Sequence, residues 1–307
     1  MPFHVRDPWR VQYFEHVSCP ADVHIPIDDI DCWEWFPEYR YIYDKLHVAR
    51  SQNVACGTAD DVPQHFPVFA KPRVNLKGMG LGSRVIRSSA DFAAHMTPDM
   101  MWMELFSGPH ISTDAAVVKG KVEWLRHAEG IPWHDGTFQH WIIHTQDDGP
   151  LTRMLVQWIA RELPRYTGMI NIETIGGRII EAQIRFADQW CDLYGRDWFN
   201  AVVMLYGEGR WPLLHHAMRE GCSVPLFARH GNVPPHPTAE QQAKIRALPH
   251  VSSLQITYHE AKDGKSHPMP PGGFRLGIVN GWDLQACLRA REKLARLFPG
   301  VEVMLPG

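Results

Sequence analysis

The chain has 307 residues, 45% hydrophobic and 21% charged, which is ordinary globular usage and leaves room for about two domains of roughly 100 to 200 residues each. Its 31 basic and 34 acidic side chains give a net charge of -3, spread along the chain, so no basic field favours nucleic acid or an anionic membrane as a partner. The longest apolar stretch, near Phe199 to Tyr206, falls far short of the roughly 20 residues of a membrane helix, and no membrane association is expected. The N-terminus has no apolar leader core, so the cytoplasm is the expected compartment. Six cysteines without a CxxC pair argue for reduced thiols rather than a disulfide framework or a zinc knuckle. Among eighteen histidines, the adjacent pair His215-His216 points in two directions and no HExxH spacing occurs, so a histidine-built zinc site is not expected.

In chain order, the segment to about Pro37 is rich in Pro, Asp and aromatics, with a short alternating run, Val23 to Ile27, that reads as an edge strand. Apolar spacing predicts a helix over Tyr41 to Arg50, ending near Gly57. Pro67 to Lys71 and Arg84 to Ile86 read as strands around a glycine-rich loop, followed by a helix over Ser89 to His95 and a strand over Met100 to Phe106. Ala115 to Val118 and Lys121 to Leu125 form a predicted hairpin, Gly130 to Asp148 reads as loop, and Leu151 to Leu163 as an amphipathic helix. A second hairpin spans Met169 to Arg185. Helices over Trp198 to Tyr206 and Pro212 to Arg219, a Pro-rich break at Pro234 to Pro237, strands near Leu254 to Tyr258 and Phe274 to Val279, and a final helix capped by Asp283 complete the α+β pattern.

Two segments carry chemistry. In the hairpin Ile170 to Arg185, strand parity puts Asn171 and Glu173 on one face of the first strand and Glu181, Gln183 and Arg185 on one face of the second. A two-residue Gly176-Gly177 turn pairs Ile175 with Arg178 and places Glu173 opposite Ile180. A three-residue loop instead sets Glu173 against Glu181 and Asn171 against Gln183, and is the expected form. Two opposed carboxylates repel unless a cation lies between them, and such oxygen donors suit Mg²⁺ bridging phosphates. A solvated sheet face with an ion pair is the plainer reading of the same residues. The second segment holds Gly78, Gly80 and Gly82, where backbone N–H groups can approach a phosphate, with Lys71 and Lys77 beside them to neutralise charge. It is neither a P-loop nor a dinucleotide fingerprint, and an ordinary glycine-rich hairpin loop accounts for it as well.

The order of these parts resembles the core of the ATP-grasp superfamily: Tyr43-Asp44-Lys45, then Val68 to Pro72 with the glycine loop, then Met103 to Gly108, then Asn171-Ile172-Glu173 and Glu181 to Arg185. The resemblance covers roughly residues 40 to 190. It implies two α+β lobes clamping ATP, with a short N-terminal lobe (1–60), a core (61–205, with a glycine-loop lobe about 65–108 and a metal-binding lobe about 109–205) and a small C-terminal α+β lobe (206–307). It implies that Lys45, Lys71 and Lys77, with the loop glycines Gly78, Gly80 and Gly82, contact ATP phosphates, that Glu104 to Phe106 meet adenine, and that Asn171 lines the nucleotide site. Glu173, Glu181 and Gln183 take the place of the Mg²⁺ ligands, with Gln183 where Asn is usual, and Arg185 and His134 face the transferred phosphoryl group. His110 stands where an acid commonly binds ribose. The implied activity is Mg-dependent ligation of a carboxylate to an amine, both small molecules, through an acyl phosphate. A kinase or a non-catalytic nucleotide-binding protein are the alternatives, and the resemblance admits a homodimer.

Overall fold

The computed structural model describes residues 3–4, 12, 14–145, 149–212, 218–260 and 269–306. A two-stranded pairing of β1 (Phe3–His4) with β2 (Ile25–Pro26) opens the chain, followed by α1 (Asp29–Trp35) and, after a 3-10 turn over Pro37–Tyr43, by α2 (Lys45–Arg50). The helix expected from Tyr41 to near Gly57 is therefore split and shorter. Asp44 interrupts it because its carboxylate caps Leu46 N at 3.0 Å and also pairs with Arg73, which holds the start of α2 against the end of the strand Val68–Pro72.

Four strands, β3 (Cys56–Thr58), β4 (Val68–Pro72), β5 (Arg84–Ile86) and β6 (Met100–Glu104), form a small sheet in the order β3-β6-β4-β5, with α3 (Ser89–His95) on one side. Val68, Ala70 and Trp102 pack with Phe92 of α3, so by alternation Phe69 and Lys71 face the other way. That other way is the cleft.

The large sheet is antiparallel throughout. It contains β7 (His110–Val118), β8 (Lys121–Pro132), β9 (Phe138–Ile143), β10 (Gly168–Ile175), β11 (Arg178–Gln183), β12 (Gly221–Ala228), β13 (Val251–Ile256), β14 (Phe274–Gly281) and β15 (Val303–Met304). Among the described residues its order is β11-β10-β7-β8-β9-β12-β14-β13, with β15 on the free part of the β12 edge. The stretch from Gly130, expected to be loop, contains the end of β8 and all of β9, and the strand β12 and helix α6 (Ala239–Arg246) had no sequence expectation. Of the helix expected over Pro212 to Arg219, residues 213–217 lie outside the described residues, as does His215-His216.

Three apolar clusters cover this sheet. α4 (Pro150–Glu162) packs Leu155, Trp158 and Ile159 on Ile170, Ile172, Ile179 and Ile184. α7 (Leu284–Ala295) covers the β12–β14 end with Leu294 and Cys287, its first turn capped by Asp283 as expected. On the opposite face, α5 (Trp198–Glu208), the segment 186–194 and the N-terminal residues Phe14, Val23, Ile25 and Ile27 close over Ala116, Ala128 and Ile143. The rest of that face opens into the cleft. No helix among the described residues is long and apolar enough to cross a membrane.

The β10–β11 hairpin corrects one expectation. Gly176 and Gly177 form a two-residue turn with φ +56° and +77°, so Ile175 pairs with Arg178. Register then shifts: Thr174 pairs with Ile179 but Glu173 pairs with Glu181, leaving Ile180 as a β-bulge. The residue assigned to the loop is inserted within the strand instead, and the carboxylates still oppose each other. A Cβ on Gly176 would lie 2.2 Å from the Ser107 carbonyl oxygen, whereas one on Gly177 meets nothing within 4 Å. Gly177→Ala should therefore cost only the left-handed backbone penalty, about 1–2 kcal/mol, and Gly176→Ala clearly more. Urea denaturation of the two variants checks this; equal costs would contradict the turn geometry.

Candidate nucleotide and metal site

A cleft of about 1170 Å³ lies between the small sheet and the open face of the large one. Of the residues singled out in the sequence, Lys45, Lys71, Lys77, Gly78, Gly80, Glu104, Phe106, His134, Asn171, Glu173, Glu181, Gln183 and Arg185 all line it. Gly82 does not. It sits at the base of the loop, where an added Cβ would meet Pro72 at 3.1 Å.

The centre is Glu181. Its carboxylate lies 3.2 Å from the Lys45 ammonium, and Lys71 reaches the same spot from β4, donating to the carbonyl of the bulged Ile180 at 2.6 Å. The bulge that restores the carboxylate register thus also supplies an acceptor for Lys71. Burial works to raise the Glu181 carboxyl, but Lys45, Lys71 and Arg185 outweigh it and hold the group below its ordinary range. Lys71 is 4% exposed, and burial, with Lys45 adding to it against the pull of Glu181, pushes its ammonium down to about 7.

Glu173 is met from β7 by His110, whose Nε2 lies 2.9 Å from its Oε2. The histidine standing in the expected ribose position is thus turned toward the glutamate, its ring edge-on to Phe138 and Trp141. Gln183 donates from its amide nitrogen to Glu181 at 3.4 Å, which leaves its amide oxygen to ligate a cation. Asn171 is anchored more deeply, donating to Ser112 and Asp114 at 2.9 and 2.7 Å.

Two carboxylates and an amide oxygen on one sheet face match the oxygen donors that Mg²⁺ takes when phosphates and waters complete its shell. A full protein cage is not part of that arrangement, and no group of three or more His, Cys, Asp or Glu side chains is placed to hold a metal among the described residues. The donor chemistry fits.

Arg185 is held by Asp29 in a bidentate pair, 2.9 and 3.1 Å. Burial drives the Asp29 carboxyl up despite the guanidinium, while Asp29 overcomes the burial of Arg185 and raises it further. Asp29 was not singled out in the sequence, since nothing local distinguishes it from Asp28 or Asp31; only the fold brings it to Arg185. The segment after Arg185 is pinned by the buried Asp114, which accepts from Ala187 N at 2.9 and 3.1 Å and from Tyr194 OH at 2.8 Å. Burial, opposed by these bonds, pushes Asp114 up to about 6. Asp188, Gln189 and Trp190 thereby enter the cleft wall, and Gln255 and Arg275 join them from β13 and β14.

The glycine loop is an ordered turn. Asn75 accepts from Lys77 N at 3.0 Å and donates to Gly78 O at 2.9 Å, with Gly78, Met79 and Gly80 all at φ near +60° (65°, 61° and 64°). It reaches over the cleft far enough that a Cβ on Gly136, in the β8–β9 loop carrying His134, would lie 3.4 Å from Met79 O. Glu104 accepts from Ala55 N at 3.1 Å with its side chain, and Glu104, Leu105 and Phe106 border the cleft.

A small antiparallel sheet with a glycine loop, facing a larger antiparallel sheet across a cleft lined with lysines and carboxylates, is the ATP-grasp fold. Solved structures bear this out over nearly the whole chain. The L-amino acid ligase of Bacillus licheniformis superimposes with a TM-score of 0.63, covering 97% of this chain and 84% of that one at 12% identity. The phosphoribosylamine–glycine ligase of Thermotoga maritima gives 0.63 over 95% and 87% at 13% identity. The carboxyaminoimidazole ribonucleotide synthase of Aspergillus clavatus, solved with ATP, gives 0.59 over 84% and 74% at 9% identity. At such identities the likeness establishes the fold. No family model and no curated protein sequence matches the chain.

The Lys71 environment has a pH signature. In the unfolded chain a lysine keeps its proton to about 10.4, but in the fold it loses it near 7, so between these values the unfolded state binds more protons and stability rises with pH. The cost of burying the charged ammonium is thus fully present below pH 7 and is relieved as pH climbs toward 10. Lys71→Met should be more stable than the parent at pH 6.5, with the gap shrinking by pH 9.5 in denaturant titrations. A gap that does not change with pH would contradict the buried placement of this ammonium.

Proposed function

We propose that the chain is an ATP-dependent ligase that joins a carboxylate to an amine through an acyl phosphate. The observation that carries this is Glu173 directly opposite Glu181 on the cleft face, with Lys45 from α2 and Lys71 from β4 converging on Glu181. A stable fold gains little from gathering like charges in a half-buried cleft, whereas a polyphosphate with its cation needs that mixture of donors and acceptors.

In this reading Lys45, Lys71, Lys77 and the glycine loop hold the phosphates, and the backbone from Glu104 to Phe106 borders adenine. Glu173, Glu181 and Gln183 would hold Mg²⁺, which supplies neutralisation of the charge on the phosphoryl oxygens. The substrate carboxylate oxygen attacks the γ-phosphorus, the β–γ bridging bond breaks, and ADP leaves. Arg185, and His134 from its loop, stabilise charge on the acyl phosphate. The amine then attacks the acyl carbon, the C–O bond to phosphate breaks, and inorganic phosphate departs as the amine loses a proton. Positioning and electrostatics do the work, and no protein nucleophile is needed. The likeness to two structures named as ligases supports ligation over simple phosphorylation.

Glu181→Gln keeps the volume of the side chain but removes the charge facing both lysines, so ADP release should fall at least about 100-fold while the fold persists by circular dichroism. Lys71→Ala should weaken Mg-ATP binding by about 1.5–3 kcal/mol, the worth of a charge-assisted hydrogen bond, or about 10- to 150-fold in Kd by calorimetric titration. Parent-like ADP release by Glu181→Gln, or unchanged affinity in a folded Lys71→Ala, would overturn the reading.

A further inference from the structure

The cleft face continues past the carboxylates. Strand register carries one row from Ile175 through His110, Gly130 and Trp141 to Ser223. Along it the polar wall gives way to rings. Phe138 and Trp141 lie 4.2 Å apart between centroids, and Trp141 and Trp190 4.9 Å, all three lining the cleft. Gly130 makes room for this, because a Cβ there would meet Phe138 at 2.7 Å and Trp141 at 2.8 Å. Beyond the rings β12 and β14 add Phe227 and Ile278, with Arg275 paired to Phe227 in the ladder.

A volume of about 1170 Å³ exceeds what one small-molecule ligand usually fills, roughly 300–1,000 Å³, so the cleft has space for a second compound beside a nucleotide. Trp141 and Trp190 are 5% and 3% exposed, so their rings are fixed by the core and present a rigid wall with little ordering left to occur on binding. Arg185 lines the same cleft as this strip.

We propose that the ring-lined strip from Phe138 to Phe227 is the subsite for the carboxylate substrate, and that this substrate is an acid with an aromatic or bulky apolar body rather than a short polar acid. The inference rests on the ligase reading, which supplies the carboxylate and its position near Arg185. Flat or bulky apolar groups gain from offset stacking on Phe138, the half-buried ring of the strip, and from filling the space against the buried rings behind it, while a short hydrophilic acid would set polar groups against them.

The test is calorimetric titration of the folded chain saturated with Mg-ADP, using 3-phenylpropanoate and indole-3-acetate against acetate and succinate. The aromatic acids should bind at least about tenfold more tightly than either polar acid, and Phe138→Ala should remove at least about fivefold of that preference while Mg-ADP affinity stays within about twofold. Phe227→Ala carries the same expectation and serves if Phe138→Ala melts early. Mg-ADP binding without a preference for the aromatic acids, or with no acid bound at about ten millimolar, overturns this inference and leaves the ligase reading standing. Failure of the chain to bind Mg-ADP at all would overturn both.

Discussion

Two carboxylates facing each other on neighbouring strands repel, and everything around Glu173 and Glu181 is arranged to make that juxtaposition tolerable. Lys45 arrives from the start of α2, Lys71 from β4 and His110 from β7, so three separate elements each bring a nitrogen to this pair. The β-bulge at Ile180 is what makes the arrangement consistent with a tight glycine turn. Without it the hairpin register would turn Glu181 to the apolar face under α4. With it, both glutamates look into the cleft, and the carbonyl it displaces holds Lys71.

Positioning of the remaining wall follows from buried polar anchors. Asp114 sits under the sheet face and fixes the start of the segment 186–190, while Asn280 and Gln255 of the C-terminal strands donate to the Gln189 carbonyl at 2.8 and 3.0 Å. The C-terminal strands are therefore continuous with the large sheet and also hold one side of the cleft. From the other end of the chain, Asp29 immobilises Arg185, so even the short N-terminal region shapes the site. Each anchor lies in a place where an unpaired group would be costly, which makes the cleft rigid along its floor.

Much of this was legible in the sequence because period-two alternation and residue order survive without tertiary information. Parity gives one face to Asn171 and Glu173 and one to Glu181 and Gln183, and composition gives the glycine loop between two strands; the joining of the two faces rested on a three-residue loop that the structure replaces with a tight turn and a bulge. The route to that shared face was not legible: a two-residue turn with a downstream bulge and a three-residue loop produce the same pairing of Glu173 with Glu181, and nothing in the local sequence distinguishes them. β9 gives no strand signal because Gln139 and His140 stand side by side between Phe138 and Trp141, so apolar and polar residues do not alternate there. β12 is buried along its whole length, so it shows no alternation at all. Asp29 and the ring strip are assembled from distant segments, beyond the reach of any local pattern.

The central claim is that a triphosphate lies between the glycine loop and the opposed carboxylates. A crystal structure with Mg²⁺ and a non-hydrolysable ATP analogue tests it most directly. The account predicts phosphate oxygens within hydrogen-bond reach of Lys45 and Lys71, a cation between those oxygens and Glu173 and Glu181, and adenine against the backbone from Glu104 to Phe106. Nucleotide bound elsewhere on the molecule, with the Lys45–Glu181 pair untouched, would contradict it.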